Sequence, residues 1–332
     1  MYKFPSALLL TLSLTLFAMF SVGAGTSSAG KTDLQKINIW MNWHPNPYHV
    51  PFCLGKAKGF YEEEGIDLKI IPGKGEAITA SLASSNANDF SVLSASYLLK
   101  AKANQKMPLT AVLGIYQRNM MGIYYRKSAG ISKPSDLVGK KIFTGRATKA
   151  EYMVIFLKQM NLSDKVKVVY TATGSMQTDM QLFLTRQADV VAGLCFNDLY
   201  RKQSPNPDDV GTFFFDDYGS KLINIVLVAH DKMILRDPEL VKRFVRASNK
   251  SLKYAMGHPD EATKAFIVRY PDLKYEDERE YFGKALPYIP SYDNKVGSMS
   301  WRDWDKLKKA LLETGGLEAD VNVDKCYTNK FQ

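Results

Sequence analysis

Short apolar runs alternate with amphipathic segments over the first two thirds of the chain. KINIWM, DLKII and DFSVL predict strands, and the segments after them predict helices over 54–64, from Glu76 and over 94–104. The same order continues through KKIF, VKVVY and ADVVAGL, with helices predicted over 148–160 and 176–186. This βαβ rhythm predicts an α/β protein with parallel sheets and helices on both faces.

After this strand-rich body, the pattern changes to apolar residues spaced three and four apart. DPELVKRFVRASNKSLKYAM, PDEATKAFIVRY and SWRDWDKLKKALLETGG each predict a helix, and the last ends at Gly315 and Gly316. A chain of 332 residues, 45% of them hydrophobic, is long enough for two globular lobes. We therefore expect two open α/β lobes, with the helical tail packed back on the first.

The N-terminal segment MYKFPSALLLTLSLTLFAMFSVGA has one lysine, then an uncharged apolar stretch, then small residues. This order predicts a secretory signal peptide over 1–24, with cleavage after Ala29 as the alternative site. An uncleaved membrane anchor is the competing interpretation, because the apolar run is close to membrane-spanning length. The polar GTSSAGKTD that follows favours cleavage, which would release the protein into the periplasm.

The charged residues exclude some classes of function. Lys and Arg number 44 against 34 Asp and Glu, but they are scattered rather than gathered in a stripe, so we expect no nucleic-acid partner. Cys53, Cys195 and Cys326 allow at most one disulfide and form no CxxC pair, so we expect no zinc site. No GxSxG, GxxxxGK[ST] or HExxH motif occurs, and we expect neither a cofactor nor catalytic residues.

The most informative places are the turns at which a strand runs into a helix. PGKGE, LSAS, TGRATK and TATGS each combine Gly, Ser or Thr with a predicted helix start. Ligands of open α/β sheets bind beyond the carboxyl ends of the strands, although ordinary helix capping selects the same residue types. Both interpretations stay open for any single turn, and the convergence of several turns favours a ligand cleft.

The stretch NWHPNPYH holds two of the four histidines of the chain. His44 and His49 lie five residues apart in a segment broken by prolines, so they share no helix face from which to bind one metal ion. Asp216 and Asp217, a second candidate pair, point to opposite faces if the segment is extended, which favours a turn over acid/base chemistry. Pro45 and Pro47 stiffen the stretch, which suits the wall of a binding site.

The segment NWHPNPYHVPFCLGKAKGFYEEEGIDLKII resembles the opening of substrate-binding proteins of ABC importers, in the branch of thiamine-pyrimidine-precursor and sulfonate binders and the fungal thiamine-pyrimidine synthase. GISKPSDLVGKKIFTG, RDPELVKRFVRASNKSLKYAMGHPDEATKAF and the closing CYTNKF resemble later segments of that family. The resemblance implies a type II periplasmic binding protein: two doubly wound lobes, a hinge and a helical C-terminal region. It implies lobe one at 34–116 plus 225–332, and lobe two at 117–224.

The chain departs from the fungal synthase at its reacting groups. The synthase carries a Lys and a His that handle pyridoxal phosphate, and the matching positions here are Leu93 and Tyr97. LINIVLVAH replaces its cysteine-rich run. Where aminopyrimidine-handling relatives place a Glu, this chain has Cys195, with Asp198 three residues on. The resemblance therefore favours a receptor over an enzyme.

The function that the resemblance implies is a monomeric periplasmic receptor that captures a small heteroaromatic or anionic nutrient, a thiamine-pyrimidine precursor above all, for an ABC permease. We predict that it is not an enzyme. The alternative is a synthase-like enzyme related to pyridoxal phosphate chemistry, and a third idea, a sensing module, requires a transmembrane output segment. The predicted ligand-binding residues are Trp43, His44, Asn46, His49, Ser94, Tyr97, Gln117, Thr148, Lys149, Ser175, Asn197 and Asp198.

Overall fold

The computed structural model describes residues 33–145, 148–171, 176–195 and 199–332. The predicted signal peptide lies outside these ranges and stays a prediction. The strands are β1 (Gln35–Trp40), β2 (Ile66–Ile71), β3 (Phe90–Ser94), β4 (Leu109–Tyr116), β5 (Met121–Arg126), β6 (Ile142–Gly145), β7 (Val168–Thr171), β8 (Val190–Leu194), β9 (Val210–Phe214) and β10 (Ile225–His230). The helices are α1 (Val50–Ala57), α2 (Glu76–Ser85), α3 (Ala95–Ala103), α4 (Thr148–Gln159), α5 (Met176–Leu184), α6 (Leu199–Gln203), α7 (Asp231–Arg236), α8 (Pro238–Gly257), α9 (Pro259–Arg269), α10 (Tyr275–Ala285) and α11 (Trp301–Glu313).

The strands form two sheets with the same arrangement. The first has the order β2-β1-β3-β10-β4, and the second has the order β7-β6-β8-β5-β9. We call the first sheet with its helices the first lobe, and the second sheet with its helices the second lobe. In each sheet four strands run in the same direction and one is reversed: β10 runs antiparallel to β3 and β4, and β5 runs antiparallel to β8 and β9.

The prediction of parallel sheets is therefore wrong for β5 and β10. Both strands enter their sheets directly from the other lobe, through residues 117–120 and 215–224, and neither connection contains a crossover helix. A crossover of a dozen or more residues is needed to bring a chain back parallel within one sheet. The doubly wound α/β architecture is confirmed, and the sheets are mixed.

Burial along the strands follows their positions in the sheets. All six residues of β10 are buried, because this strand lies between β3 and β4 with helices on both faces. The edge strand β2 alternates instead, with Ile66, Leu68 and Ile70 buried and Lys69 exposed. The apolar run INIVLVA and the alternating DLKII are the sequence signatures of these two environments.

The helical C-terminal region is confirmed from α7 to α11. Helix α8 begins at Pro238 after Asp237, whose side chain accepts the backbone N–H of Leu240 at 3.0 Å, and its apolar face packs on α1. The predicted helix over 54–64 is wrong, because α1 ends at Ala57 and Gly59 adopts a φ of +73°. None of the helices described is long and apolar enough to cross a membrane.

Candidate functional site

The loop between β1 and α1 is held by its own polar groups. The Asn46 side chain accepts the backbone N–H of Tyr48 at 2.8 Å and donates to the carbonyl oxygen of His44 at 2.9 Å. In return His49 Nδ1 accepts the backbone N–H of Asn46 at 3.2 Å, which completes a capping box around the turn Pro47–His49. The hydrogen-bonding capacity of Asn46 is thus largely used inside the loop.

His49 lies wholly inside the first lobe. Its side chain is 0% exposed and packs edge-on to the ring of Tyr270, with the ring of Phe266 also nearby. Burial lowers its pKa to about 3, so the imidazole stays neutral at physiological pH. Of the two histidines predicted to face a ligand, only His44 lies at the surface.

Trp43 stands at the rim of the first lobe with 46% of its surface exposed. The loop that carries it is joined to the next strand-to-helix turn, because Gly73 N–H donates to the carbonyl oxygen of Trp43 at 3.0 Å and Gly75 N–H donates to that of Asn42 at 3.1 Å. A side chain at Gly73 would collide with the carbonyl oxygen of Met41, so the two turns approach closely only because this residue is glycine.

The side chain of Glu76, the first residue of α2, joins the two lobes. One carboxylate oxygen accepts the backbone N–H of Ser94 at 2.6 Å and Asn42 Nδ2 at 3.3 Å; the other accepts Ser94 Oγ at 2.9 Å and the hydroxyl of Thr148 from the second lobe. Ser94 also caps α3 by accepting the Tyr97 N–H at 3.2 Å. We call Glu76, Asn42, Ser94 and Thr148 the Glu76 network.

A partly buried ion pair also crosses between the lobes beside this network. Lys100 on α3 pairs with Glu151 on α4, and the Lys100 ammonium lies 5.5 Å from the centre of the Tyr97 ring. Burial raises the pKa of Glu151, and Lys100 opposes that shift. The predicted residues Ser94, Tyr97 and Thr148 are thus brought together, at a place where the two lobes meet.

Lys149 and Gln117 are engaged elsewhere. Lys149 pairs with the buried Asp179, which also accepts the Thr171 hydroxyl at 3.1 Å, so this lysine is balanced inside the second lobe. Gln117 is 1% exposed, and its side chain donates to the carbonyl oxygen of Lys295 at 2.9 Å. This hydrogen bond joins the segment between β4 and β5 to the C-terminal region.

The other three predicted residues, Ser175, Asn197 and Asp198, lie outside the described ranges. Contact with a ligand stays a prediction for the whole predicted set.

Four tyrosines lie in the region of the Glu76 network, and the predicted set contains none of them. The rings of Tyr48 and Tyr116 lie 5.2 Å apart, and the Tyr116 hydroxyl donates to the carbonyl oxygen of Pro47 at 2.9 Å. Burial raises the pKa of Tyr48 well above its usual range, and nearby Tyr281, Tyr116, Glu76 and Tyr152 raise it further. We call Tyr48, Tyr116, Tyr152 and Tyr281 the tyrosine cluster; Tyr152 comes from the second lobe and the others from the first.

A cavity of about 550 Å³ lies between the second sheet and the end of α10. We call it the arginine cavity. Its lining consists of Arg118, Cys195, Arg201, Thr212, Phe214, Asp216, Asp217, Lys284, Pro287 and Tyr288. This lining includes no residue of the predicted set that the structure describes, although Arg118 follows Gln117 in the chain.

The tyrosine cluster and the arginine cavity are neighbours. Tyr281 lies on α10 three residues before Lys284, which lines the cavity. Burial raises the pKa of Tyr281, and Glu278 and Cys195 add to that shift. Burial likewise raises the pKa of the Cys195 thiol well above its usual range, which keeps it protonated. In the part of the chain that the structure describes, Cys195 and the other two cysteines are free thiols.

The residues at hand do not fit the cofactor of the fungal synthase. Leu93, at the position of its Lys, is an apolar residue with 0% exposure and has no amine to offer. Within the described ranges no group of three or more His, Cys, Asp or Glu side chains is placed to hold a metal ion.

Comparisons with known proteins cover most of the chain. A curated "4-amino-5-hydroxymethyl-2-methylpyrimidine phosphate synthase" of Legionella pneumophila is 24% identical over 89% of this chain and 92% of the relative. The "Riboflavin-binding protein RibY" of Chloroflexus aurantiacus is 24% identical over 90% of this chain and 86% of its own length. The periplasmic aliphatic sulphonate binding protein SsuA of Escherichia coli superposes with a TM-score of 0.69 at 10% identity, over 88% of this chain and 91% of SsuA.

The first of these relatives contradicts one prediction. The departures from the fungal synthase predict a chain that is not an enzyme, and this prediction is wrong: the Legionella pneumophila protein, similar over nearly its whole length, bears the name of an enzyme. The absence of the fungal Lys and His does not by itself exclude catalysis.

The superposition on SsuA confirms the periplasmic-binding-protein fold. The "NMT1/THI5 like" family matches residues 46–262, which run from the loop after β1, through β2 to β10, to the start of α9. The chain therefore belongs to the NMT1/THI5-like family.

Proposed function

We propose that this chain is a periplasmic solute-binding receptor of an ABC importer, which captures a small heteroaromatic ligand, a thiamine-pyrimidine precursor above all, between its lobes. The observation that carries the proposal is the junction of the two lobes, where the paired rings of Tyr48 and Tyr116 lie near the Glu76 carboxylate and Thr148 of the second lobe donates to it. Tyrosine combines a flat apolar face with a polar hydroxyl, which suits a planar ring bearing nitrogen atoms.

The position of the cluster suggests how binding acts on the protein. Tyr48 and Tyr152 belong to different lobes, so a ligand that touches both contacts surfaces that separate when the lobes open. Such a ligand binds the closed state better than the open state and shifts the population toward it. We place lobe one at 34–116 plus 225–332 and lobe two at 117–224, and the closed monomer would then dock on a permease.

The printed names of the relatives support a small-molecule ligand. The printed names of two of them refer to an aminopyrimidine phosphate and to riboflavin, both heteroaromatic, and that of the third refers to aliphatic sulphonates. These three classes are the probes for a first experiment.

Calorimetry with 4-amino-5-hydroxymethyl-2-methylpyrimidine, riboflavin and methanesulfonate tests the proposal. We expect one-to-one, reversible binding of the pyrimidine, weakened about ten-fold or more in Tyr48→Leu because a buried aromatic contact is lost. Tyr275→Leu is the matched control, since the Tyr275 hydroxyl bonds only the exposed Asp260, at 3.4 Å, among the hydrogen bonds described. If neither the pyrimidine nor riboflavin binds, the proposal is refuted.

A second candidate function is a synthase-like enzyme that makes an aminopyrimidine phosphate. The Legionella pneumophila relative, similar along nearly the whole chain, favours it. Chromatography of the purified protein incubated with pyridoxal phosphate decides between the two candidates. A new pyrimidine product that accumulates over several turnovers favours the enzyme, whereas reversible binding without product favours the receptor.

A further inference from the structure

We propose that the arginine cavity binds an acidic group, a carboxylate, phosphate or sulfonate, attached to the ring that the tyrosine cluster holds. The inference rests on the proposed function, and it extends the ligand class from heteroaromatic compounds to their acidic derivatives. Helix α10 makes it possible, because it carries Tyr281 of the cluster and, three residues further on the same face, Lys284 of the cavity lining.

The basic residues of the cavity come from three separate elements. Arg118 lies between β4 and β5, Arg201 lies on α6, and Lys284 lies on α10. Elements that are distant in sequence thus place positive charge on several sides of one cavity. This arrangement is typical of anion recognition.

The two guanidinium groups keep donors for a ligand. Arg118 Nη2 donates to the carbonyl oxygen of Ser291 at 3.3 Å, whereas its buried Nε has no hydrogen-bond partner among the described residues. Arg201 Nη2 donates to the carbonyl oxygen of Val210 at 3.3 Å. Both bonds are long, so the fork geometry that arginine offers to carboxylate or phosphate is not consumed by the protein.

The acidic residues of the cavity are partly compensated. Asp216 accepts a hydrogen bond from the Tyr292 hydroxyl; burial raises the pKa of its carboxyl, and Tyr292 and Lys221 oppose that shift. Lys284, in turn, pairs with Glu280 at 2.5 Å, so it contributes little free charge. The two arginines therefore dominate the chemistry toward a ligand, with Asp217 as their main competitor.

Aromatic walls complete the cavity. The rings of Phe214 and Tyr288 lie 5.7 Å apart and are tilted by 41°. They offer an apolar boundary beside the guanidinium groups, and charge-assisted hydrogen bonds are stronger where such a wall excludes water.

A matched pair of probes tests the inference: 4-amino-5-hydroxymethyl-2-methylpyrimidine and its phosphate ester, titrated into the full chain by calorimetry. We expect the ester to bind about ten-fold or more tightly than the alcohol, and this advantage to shrink as salt screens the charges. In Arg201→Gln the advantage should fall below about three-fold, and Arg201→Lys should keep part of it. Arg302→Gln, which removes an exposed arginine paired with Asp293, is the control and should leave it intact.

The outcomes separate this inference from the proposed function. If the alcohol binds and the ester gains nothing, or if Arg201→Gln preserves the gain in a folded protein, the inference is overturned while the receptor stands. If inorganic phosphate alone competes with the ester but not with the alcohol, the cavity binds the acidic group independently of the ring, which supports the inference. If neither pyrimidine nor riboflavin binds, both proposals fall.

Discussion

The Glu76 network and the arginine cavity are two polar regions between the lobes, and they differ in how their hydrogen bonds are used. In the network each carboxylate oxygen of Glu76 accepts two hydrogen bonds from the protein itself. In the cavity, Arg118 Nε is buried without a partner among the described residues. Buried polar groups with partners stabilise a fold, whereas those without are costly unless something else satisfies them.

The difference teaches where a ligand is needed. The Glu76 carboxylate is satisfied by protein donors from both lobes, so we infer that it stabilises the arrangement in which the lobes meet. The same network contains the buried Asn42 Oδ1, which has no partner among the described residues, and the cavity and Glu278 add further buried atoms of this kind. Ser94 and Thr148, which look like binding residues in sequence, both donate to the satisfied carboxylate.

Breaking the network should have the largest effect on stability. Glu76→Ala removes the acceptor of four hydrogen bonds and leaves the N–H of the buried Ser94 unpaired, so we expect the free energy of unfolding to fall by about 4 kcal/mol. Urea denaturation measures it. Glu313→Ala, at an exposed position of α11, should change it by less than about 0.5 kcal/mol. A loss below 1 kcal/mol for Glu76→Ala would mean that the network is not a stabilising unit.

Glu278 should make the free energy of unfolding depend on pH. Burial raises its pKa from 4.5 to about 7, with Asp277 adding to the shift. The folded protein therefore holds this proton more tightly than the unfolded chain, so the associated stability is present below about pH 4.5 and is lost as the pH rises through 7. At pH 8 Glu278→Gln should be more stable than the parent protein by about 3 kcal/mol, a gap that closes near pH 4.

Unfolding curves at several pH values measure this gap, with Glu276→Gln on the same helix as the control. A gap that does not change with pH would show that Glu278 ionises normally and that the unpartnered oxygen is hydrated.

The smallest effect should come from the exposed ion pairs at the rim of the cavity. Lys202 on α6 lies 2.5 Å from Asp277 and 3.2 Å from Glu280 on α10, and all three side chains are more than a third exposed. Lys202→Ala should lower the free energy of unfolding by no more than about 0.5 kcal/mol, and the difference should vanish in about 1 M salt. A larger loss that persists in salt would mean that these ion pairs stabilise the fold.

Much of the fold could be predicted from the sequence, because periodicity is a local signal. The starts of α2, α3 and α4 at Glu76, Ala95 and Thr148 follow from Gly, Ser and Thr before an amphipathic segment. The direction of β10 could not be predicted in this way, since it depends on the strands between which the segment lies. The connection between LTAVLGI and GIYYR is too short for a crossover within one parallel sheet, which indicates that the chain changes sheets there.

The candidate site could be predicted less well, because its contacts are between distant residues. Ser94 lies 18 residues from Glu76 and Thr148 lies 72 residues from it, yet both donate to the same carboxylate. Trp43 and Tyr48 lie in the same loop, yet the fold buries Tyr48 and leaves the predicted binding residue Trp43 half exposed. Sequence shows which residues can cap or stack, and only the tertiary structure shows which of them have no partner left.

The chain enters the second lobe at β5 and returns to the first at β10, and this order constrains how the protein folds during synthesis. The first sheet lacks the strand that joins β3 to β4 until residues 225–230 have been synthesised, because β10 lies between them. During synthesis the N-terminal third therefore cannot finish folding alone and exposes the unpaired edges of β3 and β4. The two lobes should then form together in one cooperative event near the end of synthesis, rather than as independent units.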